Sequence, residues 1–156
     1  MRAVQISVIG SGSEWEAQAE EVGRLLAERG CAVVTGGGAE VMAAAARGAK
    51  QAGGRTIGIL PGDSPAEANE WIEISVATGI GHARNLAVAA SGDAVIAVGG
   101  SWGTLSEIAF ARRLGRPVVV LDPGLSAQGE GIMRATTPKE AVELALSALE
   151  GRSGEA

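Results

Sequence analysis

The chain has one cysteine, Cys31, one histidine, His82, and two lysines, Lys50 and Lys139. A single thiol excludes an internal disulfide, and one Cys with one His cannot furnish a Cys/His metal centre, so no metal site is expected. Cys31 opens an apolar run, the setting of a buried and inert thiol. Aromatic residues are nearly absent: three Trp, one Phe and no Tyr. With a formal charge of −5 and no basic run, the chain lacks both the electrostatic footprint and the stacking platforms of a nucleic-acid binder. No stretch reaches the roughly 18 apolar residues that a membrane span requires. The N-terminal apolar run ends in Gly10-Ser11-Gly12 without a cleavage-site pattern. The expectation is a cytoplasmic protein with neither membrane nor nucleic acid as partner.

What is present is apolar substance and glycine. Of 156 residues, 46% are apolar, enough for one domain with its own core, and 24 are glycine. The stretch that organises the rest runs from Val98 to Glu107. The run Ala94 to Val98 reads as a buried parallel strand. Gly99, Gly100, Ser101, Trp102 and Gly103 break it, and a helical pattern begins at Thr104. Strand, glycine turn and helix start together make an anion site, because bare backbone N–H groups and the positive end of a helix dipole face one oxygen. Glu107 puts a carboxylate nearby. It has two readings: a reacting group, or half of a capping box Thr104-x-x-Glu107, a device that also fits Ser13 with Glu16, Ser64 with Glu67 and Thr137 with Glu140.

In chain order, the patterns predict strands at 5–9, 31–34, 56–60, 71–76, 93–98 and 117–121. Helices are predicted at 15–29, 40–51, 79–90, 104–114 and 137–149. A glycine-rich loop is expected at 122–136 and a frayed tail at 151–156, leaving one domain over 1–150. Strands alternating with helices, and strands with little internal alternation, indicate an α/β fold: a doubly wound parallel sheet with helices on both faces, its strand order open. Glycine turns follow the first, second and fifth strands, so they gather at the carboxyl edge of the sheet, where such folds bind ligands. Gly10, Ser11 and Gly12 form the first turn, and Gly36, Gly37 and Gly38 the second. The first turn fails the dinucleotide fingerprint, since Trp15 stands where a third glycine belongs, and no Gly-Lys-Ser/Thr stretch of a triphosphatase occurs. A mononucleotide or sugar phosphate fits better.

Arg84 can clamp a phosphate or face Glu107, or it is an ordinary exposed arginine. His82, two residues away on an expected helix, should point elsewhere. Trp102 can stack on a base or plug a crevice or interface. The alanine-rich helix from Glu40 and the helix from Thr104 are candidate interface elements, because small residues allow close helix contact.

The chain resembles the LOG-like family, the Rossmann-type phosphoribohydrolases of cytokinin nucleoside monophosphates that were long mislabelled lysine decarboxylases. It is most similar to the short branch that includes molybdenum-cofactor carrier proteins. The resemblance covers about residues 4–121. It rests on Gly36-Gly37-Gly38 with Met42-Ala43, on Ile57-Gly58-Ile59-Leu60-Pro61, on Arg84-Asn85 and on Gly103-Thr104-Leu105-Ser106-Glu107. The enzymes carry Pro-Gly-Gly-x-Gly-Thr-x-Glu-Glu. Here Gly99, Gly100 and Ser101 stand at Pro-Gly-Gly, and Ser106 replaces the first glutamate. Gly81 and Asn85 depart from the family's Met-His-x-Arg-Lys.

The resemblance implies Arg84 and Glu107 as the catalytic pair. It implies hydrolysis of the N-glycosidic bond of a nucleoside 5′-monophosphate to base and ribose 5-phosphate, with no cofactor. The alternative is a non-catalytic carrier of a phosphorylated ligand such as a pterin phosphate. Gly10, Ser11, Gly12, Gly36, Gly37, Gly38, Gly99, Gly100, Ser101, Trp102, Gly103 and Thr104 are the expected ligand-binding residues, the ligand an AMP-like mononucleotide or a pterin phosphate, and the assembly a homodimer or homotetramer. Lysine decarboxylation is excluded, because a pyridoxal enzyme needs a pocket lysine and both lysines lie in helical surface patterns.

Overall fold

A computed structural model describes residues 1–154. Seven strands form one all-parallel sheet: β1 (Gln5–Ile9), β2 (Ala32–Thr35), β3 (Thr56–Leu60), β4 (Ile74–Ala77), β5 (Ala94–Ala97), β6 (Val118–Val120) and β7 (Ile132–Arg134). Five helices cover it: α1 (Glu16–Glu28), α2 (Val41–Gln51), α3 (Arg84–Ser91), α4 (Trp102–Arg113) and α5 (Pro138–Ser153). The order is β4-β3-β2-β1-β5-β6-β7. The chain therefore builds outward from β1 on one side, returns to the middle, and builds outward again from β5. Between β1 and β5 the direction of winding reverses, which opens a crevice at their carboxyl ends.

The central strands are apolar on both faces because both are covered. Ile6 and Val8 of β1 point into a cluster with Ala19, Val22 and Leu26 of α1, Val41, Ala44 and Ala45 of α2, and Val142 of α5. Ile9, one pleat on, joins Val34, Val95, Val88 of α3 and Ile108 of α4 on the other face. The alanines and glycines of α2 serve contacts within the chain. A Cβ on Gly48 would fall 1.9 Å from the carbonyl oxygen of Glu20, and one on Gly23 would fall 2.0 Å from that of Ala45. The small residues that made α2 a candidate interface are thus spent on α1.

Three expectations change. The glycine-rich 122–136 segment contains a strand, β7, which pairs with β6 from Val118 against Ile132 to Val120 against Arg134. At three residues it is too short to stand out as a pattern. The last helix continues past 149 to Ser153; of the expected tail, residues 155–156 lie outside the described residues. The fourth strand is Ile74–Ala77 rather than 71–76, because Asn69 accepts the Trp71 N–H in a turn and Thr56 takes the Glu73 N–H. Among the described residues, no helix is long and apolar enough to cross a membrane.

Candidate functional site

Helix α4 starts two residues earlier than its pattern suggests, with Ser101 as N-cap. Thr104 Oγ1 accepts the Ser101 backbone N–H at 3.2 Å, and the first helical bond runs from the Leu105 N–H to the Ser101 carbonyl at 3.0 Å. Glu107 consequently falls in the second turn, beyond reach of the free amides, and the capping reading fails there. Two other expected boxes also differ. Ser64 accepts from Ala66 N–H, and α1 opens through a 3-10 turn at Ser13–Trp15 with no side-chain cap. At α5 the Thr137 hydroxyl does cap, accepting the Glu140 N–H at 3.1 Å, while Glu140 reaches Thr136 instead.

Glu107 instead points into a cleft of about 150 Å³ at the carboxyl ends of β1, β2 and β5. Gly10, Ser11, Gly36, Ser101, Gly103 and Thr104 line it together with Arg84 and Glu107. Glu107 is 8% exposed, and burial pushes its pKa up to about 7 against the opposing pull of the Arg84 charge. Arg84 and Glu107 share the cleft without an ion pair among the described residues. The guanidinium donates to Asn85 Oδ1 and, at 3.5 Å, to the carbonyl of Gly36, and its buried Nε has no partner. An unpartnered buried donor is rare and invites an acceptor.

Six of the expected ligand-binding residues fall outside the lining. Trp102 is 86% exposed at the first residue of α4. Gly99, at φ +65°, packs the β5 turn onto the β1 turn: a Cβ there would lie 2.3 Å from the Trp15 ring and 2.6 Å from the Ser11 carbonyl. A Cβ on Gly100 would meet Thr104, one on Gly37 would meet Leu60, and Gly38 lies beside Met42. Gly12 donates its N–H to Glu40. These five glycines sit where side chains would collide or where the chain supplies its own partner.

Three residues that the sequence placed in or beside the family's motifs but did not assign to the site also line the cleft. His82 lines the cleft beside Arg84, because Gly81–Ala83 is a 3-10 turn and not part of a straight α-helix. Residues two apart are then offset by about 120° instead of about 160°. Asn85 is 6% exposed and bridges Arg84 to Ser106, its Nδ2 donating to Ser106 Oγ at 3.1 Å. Ser106 in turn donates to the Gly103 carbonyl at 2.6 Å. In the sequence Asn85 stands out only as a departure from the family's motif beside Arg84, with no role assigned. Met42 completes the wall under Gly36.

The chain as a whole is similar to several known proteins. An uncharacterized protein of Archaeoglobus fulgidus is 42% identical over 150 residues, covering 94% of this chain and 97% of its own. The molybdenum cofactor binding protein of Rippkaea orientalis superposes with a TM-score of 0.90 at 36% identity, over 96% of this chain and 99% of that one. The molybdenum cofactor carrier protein of Chlamydomonas reinhardtii gives a TM-score of 0.82 at 31% identity, over 96% and 99%. A rice protein named probable cytokinin riboside 5′-monophosphate phosphoribohydrolase is 34% identical over 102 residues, 64% of this chain and 42% of the rice protein. Residues 3–148 match the SLOG cluster4 family, and the chain belongs to that LOG-like, Rossmann-type family.

Proposed function

We propose that the chain binds one small phosphorylated heterocycle in the cleft between β1 and β5 and acts as its carrier, with the molybdenum cofactor as the first cargo to test. The observation that carries this reading is the tie from Arg84 through Asn85 to Ser106 and Gly103. Ser106 occupies the place of a glutamate in the related enzymes, and here it is a neutral strut. The cleft keeps the parts that hold an anion and lacks the second carboxylate. The amides from Ser101 to Thr104, at the positive end of α4, suit a phosphate, and the Arg84 guanidinium supplies a cation with a donor to spare. At about 150 Å³ the cleft is smaller than the roughly 300–1,000 Å³ that encloses a whole drug-sized ligand. It suits the phosphate end, with the heterocycle at its mouth. Full-length likeness to two molybdenum-cofactor proteins supports the same reading.

A second reading rests on Glu107. A buried carboxyl titrating near neutrality is suited to take a proton from a water attacking C1′ of a ribose phosphate while the base departs with the bonding electrons. Its charge would also stabilise the oxocarbenium-like transition state.

One set of measurements separates the two. Protein purified from cells that make the cofactor is assayed for bound molybdopterin. AMP and ribose 5-phosphate are titrated by calorimetry, and base release from monophosphates is followed with wild type and Glu107→Gln. The carrier reading expects bound pterin and no base release. Base release by wild type that the Gln variant loses would replace it with the hydrolase. Arg84→Ala should weaken binding of any phosphomonoester about ten- to hundredfold, the worth of a charge-assisted hydrogen bond. Unchanged affinity would remove Arg84 from the site.

A further inference from the structure

Helix α3 brings the cation of the cleft and helix α4 brings its amides, and one side chain joins them. Arg84 and Asn85 open α3, and Gly103 lies in the first turn of α4. A guanidinium has only donors, so the atom it meets on Asn85 must be the carbonyl oxygen: Arg84 Nη1 donates to Asn85 Oδ1. The Asn85 Nδ2 group is left to donate outward, and it meets Ser106 Oγ at 3.1 Å. The Ser106 hydroxyl has one hydrogen, which goes to the Gly103 carbonyl at 2.6 Å. The two helix starts are in contact here, since a Cβ on Gly103 would stand 3.9 Å from the same Nδ2. Asn85 itself is 6% exposed and lines the cleft.

This relay runs away from Glu107. The other terminal nitrogen of Arg84, Nη2, lies 3.5 Å from the Gly36 carbonyl, so the guanidinium meets neutral oxygens and makes no ion pair with Glu107, although the two share the cleft. Opposite charges in a half-dry cleft attract, and an untied arginine is drawn toward the carboxylate. We infer that Asn85 is a positioning residue: it fastens the Arg84 guanidinium to the start of α4, so that cation and helix amides act together on one anion, and it keeps that cation from being neutralised by Glu107. The inference rests on the reading that the cleft binds a phosphomonoester. An arginine paired with the chain's own carboxylate must break that pair to receive a ligand, whereas one held by a neutral amide is ready for it.

The test is a double-mutant cycle over wild type, Asn85→Ala, Arg84→Ala and the double variant. Two quantities are read: affinity for AMP and inorganic phosphate by calorimetry, and the titration midpoint of the Glu107 carboxyl by carbon-13 NMR, assigned with Glu107→Gln. Asn85→Ala should weaken AMP binding about tenfold. The Glu107 midpoint, about 7 in wild type, should fall as the released guanidinium approaches the carboxylate. In the Arg84→Ala background the same substitution should change AMP affinity by less than about twofold and leave the midpoint in place. His82, the other titratable group lining the cleft, is present in all four proteins. A packing role alone, or water entering the space left by Asn85, would act equally in both backgrounds. Equal effects in the two backgrounds, or an unmoved affinity or midpoint in folded Asn85→Ala, overturn the inference. If Asn85→Ala does not fold, Ser106→Ala, which removes the outer link of the relay, is read in its place, with about a threefold loss of affinity expected. If wild type binds neither AMP nor phosphate, the phosphomonoester reading fails, and the midpoint cycle alone decides the role of Asn85.

Discussion

Helices α1, α2 and α5 bury only apolar residues and glycine against their face of the sheet, whereas α3 and α4 bury Asn85, Thr104 and Glu107 against theirs. The large apolar side chains left in solvent on helices divide the same way. Among the described residues they are Leu86 on α3 and Trp102 and Phe110 on α4, with none on α1, α2 or α5. The first face carries one buried polar atom without a partner, Gln18 Oε1 of α1. The other stores the costly groups, a buried carboxyl and an arginine with an unpartnered donor, and presents an uncovered apolar surface. Both faces carry an apolar core, and the buried polar residues of the helices lie on the α3 and α4 side. Glycine shows the same division: Gly23 and Gly48 let two helices touch, while Gly10 and Gly99 let two turns meet beside the cleft.

The sharpest way to break this division is to damage the sealed face. Gly48→Ala puts a methyl group 1.9 Å from the Glu20 carbonyl oxygen and must push α1 from α2. The expected loss is about 3 kcal/mol, the upper end of overpacking, read as a fall in Tm of roughly 10 °C for a domain of this size. Phosphomonoester affinity below the melt should stay as it was. A Gly48→Ala protein as stable as wild type would mean that the helices are not in close contact.

Next comes the buried carboxyl on the other face. In the unfolded chain Glu107 titrates near 4.5, and in the fold near 7. Below pH 4.5 both states hold the proton and the group costs nothing. As pH rises from 4.5 to about 7 the unfolded chain releases its proton first, so the folded state loses stability through that window and stays lower above it. Between pH 5 and 8 wild type should lose roughly 2–3 kcal/mol more than Glu107→Gln, measured by urea unfolding at a series of pH values. Parallel curves for the two proteins would show that Glu107 is not desolvated.

The smallest effect is expected at Trp102. Being 86% exposed and outside the cleft, it should tolerate Trp102→Ser with unaltered phosphomonoester affinity. We propose that a second copy of the chain packs on α3 and α4, where Leu86, Trp102 and Phe110 are exposed. Light scattering should then show a dimer or tetramer for wild type and a smaller mass for the Trp102→Ser, Phe110→Ser double variant. A monomeric wild type at micromolar concentration would refute it.

Much of this was legible from the chain alone, for local reasons. Short apolar runs that do not alternate, bounded by glycine turns, fit strands covered on both faces, and helical periodicity between them fits a parallel sheet. The glycine turns after 9, 35 and 98 mark the carboxyl edge, and Arg84 and Glu107 stand out as charges inside otherwise small, apolar helical patterns. Tertiary structure alone decided what depends on residues far apart in sequence. Thr104-x-x-Glu107 reads as a cap until the packing of the Val98 to Ser101 turn sets α4 two residues earlier and carries Glu107 into the second turn. Three residues of β7 mean nothing until β6 offers them a ladder. Glycines that read alike in the sequence divide into cleft-lining and packing positions only when a partner such as Trp15 or Glu20 arrives from elsewhere. Glu40 shows the limit most clearly: local propensity argues against a positive φ for glutamate, yet Glu40 adopts one where the turns after β1 and β2 meet and its carboxylate accepts the Gly12 N–H.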